Sequence, residues 1–93
     1  MLRITEISRS SEKVALRVEG WIAGQDVQLL EDEGLLCLTS SEHLVLDLDG
    51  VQFIDRAGLV LLKDWSQKGV RLGGGSWFVR VLLATHGLQD AEE

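Results

Sequence analysis

The sequence has one cysteine, no long apolar run and few positive charges, and each of these shortages excludes something. A single thiol, Cys37, cannot form an internal disulfide. It lies in an apolar setting, LLCL at residues 35–38, with no cation beside it in sequence, so a buried and inert thiol is expected. Unbroken apolar runs reach only four residues, as at Leu59 to Leu62, and the first ten residues contain no apolar h-region. No transmembrane helix or signal peptide is expected, and the sequence reads as that of a soluble, cytoplasmic protein with no membrane insertion. The nine Lys and Arg residues are scattered and outnumbered by fifteen Asp and Glu, which argues against nucleic acid as a partner. His43 and His86 stand far apart without Cys or carboxylate neighbours at ligand spacing, so neither a metal nor a cofactor is expected.

The ninety-three residues are read as a single domain, 1–93, with a thin core. The net charge of −6 is unevenly placed: residues 1–50 hold ten acids against four bases, and the rest are balanced at five each. This excess is read as serving solubility.

Along the chain, Leu2 and Ile4 alternate with Arg3 and Thr5, and Val14, Leu16 and Val18 alternate with Lys13, Arg17 and Glu19. Two period-two runs joined by the polar turn RSSE predict a hairpin. From Gln25 to Leu38 the spacing of Val27, Leu30 and Leu38 becomes helical, with acids crowding the first half and Gly34 as a weak point. The run LVLDL at 44–48 predicts a strand buried on both faces, and Asp49-Gly50 a turn after it. Val51 and Phe53 resume the apolar pattern. Asp55 then has the chemistry of an N-cap for a helix over Ala57 to Lys68, with Gly69 as its C-cap. A short strand at Val70 to Leu72, a glycine turn, and a helix capped by Ser76 and stopped at Gly87 complete the chain. An acidic tail follows at 90–93. The order β-β-α-β-α-β-α predicts an α/β fold with a mixed four-stranded sheet covered by helices. Its expected core is Val14, Leu16, Val18, Val45, Leu46, Phe53, Leu59, Leu62 and Leu82.

Two motifs could carry chemistry. An apolar strand ending in Asp47-Leu-Asp49-Gly50 resembles the nucleophile motif of haloacid-dehalogenase-like phosphatases, in which two carboxylates bind metal and attack phosphorus. Only 43 residues follow Gly50, and they lack the later acidic pair that completes such a site. The loop Gly73-Gly74-Gly75-Ser76 could hold an anion on its N–H groups, but it lacks the lysine and the spacing of a phosphate loop, leaving Gly74, Gly75 and Ser76 as a weak ligand site. No serine sits in a nucleophile elbow. The chain is expected to be non-catalytic.

Taken together, LVLDLDGVQFIDRAGLVLL and GVRLGGGSWFVRVLLATHGL resemble the STAS domain of sulphate-transporter tails and anti-sigma-factor antagonists. The matching features are Leu46-Asp47-Leu48, Phe53-Ile54-Asp55 and Gly58-Leu59, with the closing signature running from Ser76 to Leu88 and interrupted by His86. The resemblance implies a bacterial, cytoplasmic signalling module that binds protein through Asp55, Arg56, Ala57, Gly58 and Leu59. Where phosphorylated relatives carry the acceptor Ser or Thr, this chain has Ala57, so phosphorylation at the usual position is not expected. The implied partner is an anti-sigma factor or serine kinase. The alternatives are a small accessory subunit docking on the transporter ATPase of a lipid-transport system, and a domain binding a nucleotide or other small ligand; a homodimer is compatible with each.

Overall fold

A computed structural model describes residues 1–85. Strands β1 (Leu2–Arg9) and β2 (Lys13–Ile22) form the hairpin, and α1 (Asp26–Ser40) leads to β3 (His43–Ile54). Helix α2 (Arg56–Gln67), strand β4 (Arg71–Gly73) and helix α3 (Trp77–Thr85) follow. The expected order is the observed one. The stop at Gly87, the end of the closing signature and the acidic tail lie outside the described residues.

The sheet runs β1-β2-β3-β4, with β1 antiparallel to β2 and the remaining pairs parallel. Both parallel connections step the same way across the sheet. Right-handed crossovers therefore place α1 and α2 on one face. Among the described residues the opposite face carries exposed side chains such as Trp21 and Phe53 and is the open one. This overturns the reading of residues 44–48 as buried on both faces: Leu44, Leu46 and Leu48 are fully buried, whereas Val45 and Asp47 are half-buried on the open side.

The second correction concerns Asp49-Gly50, which is no turn. Strand β3 continues through it to Ile54, but its pairing with β2 slips twice, between Arg17 and Glu19 and between Gly20 and Trp21. Each slip inserts one extra residue in β3 and shifts the inward position from every second residue to every third. The buried set is therefore Leu44, Leu46, Leu48, then Val51, then Ile54. Phe53, expected in the core, is turned to the open face and is 39% exposed.

Val14, Leu16, Val18, Leu46 and Leu62 are buried as expected, while Val45, Leu59 and Leu82 are half-buried. Trp65, Ile22, Leu30 and Val79 complete the centre of the core. Cys37 is buried in it, and burial pushes its thiol up in pKa against the opposing pull of the Arg9 guanidinium, 3.9 Å away. Gly34 does not merely weaken α1. It is buried, and the indole of Trp65 from α2 occupies the space a side chain there would need. Gly69 closes α2 with φ +97°, a conformation that favours glycine.

Candidate functional site

Because β2, β3 and β4 are parallel, their carboxyl ends lie together at one end of the sheet, beside the starts of α1, α2 and α3. The residues expected to bind a partner fall here. Asp55 is extended, as an N-cap must be, and its Oδ1 accepts the Gly58 N–H at 2.8 Å. Its other oxygen accepts the Gly24 N–H at 2.9 Å, and its own N–H donates to the Ile22 carbonyl. One carboxylate thus fastens the β2–α1 loop to the first turn of α2. The N–H groups of Gly24, first, and Gly58 hold its pKa below the ordinary 3.8, outweighing burial.

Gly58 is required for close approach. A Cβ there would stand 2.7 Å from the Ile22 carbonyl oxygen and 2.8 Å from Ile22 Cγ2, so the start of α2 lies directly on the sheet. Arg56 and Ala57, on the other side of that turn, are exposed. Arg56, Leu59, Val60 and Lys63, spaced three and four apart, line a shallow hollow on the outer face of α2.

This geometry gives the first stability expectation. Asp55→Ala should cost about 1–2 kcal/mol at neutral pH, the usual loss for an N-cap. Since the folded pKa is depressed, the carboxylate's contribution is fully present above 3.8 and fades as pH falls through the lower folded value. Urea midpoints of wild type and Asp55→Asn should accordingly converge in acid. A gap that stays constant down to about pH 2 would show that the charge on Asp55 plays no part.

Asp47 and Asp49 each bring one oxygen against Gly74, within 3.0 Å of where its Cβ would stand, but both oxygens are engaged by backbone N–H groups. Asp47 accepts the Asp49 N–H at 2.9 Å through one oxygen and meets Arg17 Nε at 3.4 Å through the other. Asp49 accepts the Gly75 N–H at 2.8 Å. Among the described residues no group of three or more potential ligands could hold a metal ion. The glycine loop is occupied in the same way: Gly75 already holds the Asp49 carboxylate, and Ser76 Oγ caps α3 by accepting the Val79 N–H at 3.3 Å.

Two features were not read from the sequence. Gly24 is the second anchor of Asp55, and Trp21 meets Phe53 in a tilted pair, ring centroids 5.4 Å apart and planes at 56°, on the open face. The aromatic pair depends on the second slip in β3. The sequence signal was the apolar spacing of Leu48, Val51 and Ile54, which abandons period two.

The model of the STAS domain family matches residues 5–88. Among solved structures, the chain superimposes on the anti-sigma factor antagonist SpoIIAA in its unphosphorylated form. The TM-score is 0.70 at 16% identity, covering 98% of this chain and 90% of that one. No curated protein matches the chain significantly. With its strand order, its capped α2 and a family match over most of its length, this chain belongs to the STAS domain family.

Proposed function

We propose that the chain is a non-catalytic protein-interaction module of the anti-sigma-factor antagonist type, docking through residues 55–59, and that it is not phosphorylated at the usual position. The observation that carries this reading is the first turn of α2. Asp55 and Gly58 fix that turn on the sheet, leaving Arg56 and Ala57 exposed beside the hollow lined by Leu59, Val60 and Lys63. A rigid, partly apolar surface flanked by two cations suits a protein with an acidic, amphipathic contact face. Ala57 offers no hydroxyl, so a phosphate cannot be added there to repel such a partner. The proposed partner is an anti-sigma factor or serine kinase. The glycine loop is assigned an internal role, because the chain's own carboxylate fills it.

The test is partner binding. Arg56→Glu should weaken the complex by about 1 kcal/mol at low salt and by less at high salt, as expected for an exposed charge at an interface rim. Ala57→Ser should become a substrate for the partner kinase and lose affinity once modified, because an anion is welcome at the helix N-terminus but alters the surface presented. Unchanged binding by Arg56→Glu at both salt concentrations would reduce the loop to a helix cap.

A further inference from the structure

The opposite end of the sheet carries a feature that partner docking does not use. Lys13, His43 and Arg71 stand on β2, β3 and β4, and with Val45 and Gly69 they line a shallow hollow. The register accounts for this convergence. Lys13 pairs with His43 and Val45 pairs with Arg71, while their neighbours Val14, Leu44 and Leu72 face the core. All three basic side chains therefore emerge on the open face, on adjacent strands about 4.8 Å apart. The edge is held in place, since the His43 N–H donates to the Glu12 carbonyl and Ser41 Oγ donates to the Ser10 carbonyl.

Among the described residues, the side chains of Lys13, His43 and Arg71 enter no ion pair and no hydrogen bond, as is true of Arg3, Arg56 and Lys63, whereas Arg9, Arg17 and Lys68 each pair with a carboxylate. Among the described residues no acid lines the hollow, in a chain with a net charge of −6. Three unneutralised donors of different shape fit one chemistry. The guanidinium forks onto two oxygens, the ammonium is a mobile point charge, and the imidazole offers a directed N–H. Together they match a tetrahedral anion with several exposed oxygens, and half-buried Val45 gives the floor an apolar surface for whatever the anion is attached to.

We propose that this hollow binds a phosphoryl group, carried either by a soluble phosphorylated compound or by a lipid headgroup. It is distinct from the docking end and independent of it, so loss of either leaves the other standing.

The test uses the isotopically labelled protein titrated with pyrophosphate, followed by amide shifts. In parallel, the protein is sedimented with phosphatidate-containing vesicles and with neutral phosphatidylcholine vesicles. Saturable shifts centred on Lys13, His43 and Arg71 assign a soluble phosphoryl ligand. Sedimentation with the phosphatidate vesicles alone assigns a headgroup. Either result must weaken about tenfold in Arg71→Glu and in Lys13→Glu, the effect of losing one charge-assisted hydrogen bond. Both positions are exposed, which keeps the fold intact. Arg3→Glu makes the same change of net charge on β1, away from the hollow, and should leave binding within about twofold. The proposal is overturned by absence of binding in both arms up to about 10 mM pyrophosphate, or by equal weakening in Arg3→Glu.

Discussion

Truncation of Leu62 to Ala is expected to destabilise the protein by about 2–5 kcal/mol. Leu62 is fully buried on the inner face of α2, within the core cluster. Its loss removes transfer free energy and leaves a cavity that the neighbouring strands, pinned by their ladders, cannot fill. A domain of this size has about 5–15 kcal/mol in total, so the change consumes a large share of it. Urea unfolding should show a lower midpoint with the slope unchanged. A loss below about 1 kcal/mol would mean that α2 does not dock on the sheet through this residue.

The second large effect runs against local propensity. In a helix interior Gly→Ala normally stabilises by about 1 kcal/mol. At Gly34 the sign should reverse, because the new Cβ would enter the indole of Trp65, whose Cζ2 stands 2.7 Å from that position. Trp65 is 2% exposed and a rigid ring, so it cannot swing aside. Overpacking of this kind costs about 1–3 kcal/mol. Trp65→Phe opens the space, so Gly34→Ala made in that background should be neutral or stabilising, a coupling that a double-mutant cycle measures directly. Stabilisation by Gly34→Ala alone would show that the two helices do not meet at this point.

Element order, the cap at Asp55 and the helical spans were legible in the sequence, because each rests on local chemistry. Asp55 is followed by an apolar helical stripe, Gly69 stands where the chain must reverse, and Ser76 precedes a third stripe. The failures share one cause. Phe53 is expected inside because alternation restarts at Val51 once Asp49-Gly50 is taken as a turn, and only the pairing partner reveals that β3 runs on with two extra residues there. Likewise, Gly34 looks like a defect until Trp65, thirty-one residues later, is brought against it. The site divides in the same way. Asp55 as a cap for Gly58 is local and was readable, whereas its bond to Gly24 and the alignment of Lys13 with His43 and Arg71 are properties of the assembled sheet.

The parallel ladder between β2 and β3 also bears on how the chain reaches this fold. Its partners are separated by about thirty residues, from Lys13 with His43 to Ile22 with Ile54, whereas the β1–β2 hairpin closes across a turn at Ser10 to Glu12. Closing the longer loop spends chain entropy before any ladder bond forms in return. The hairpin can therefore assemble early and present β2 as a template, while the joining of β3 waits for α1 to shorten the connection. On this entropy argument the rate of folding should follow how readily residues 26–40 become helical, and a sequence change on the solvent side of α1 is expected to alter that rate without touching the core, which stopped-flow refolding measures.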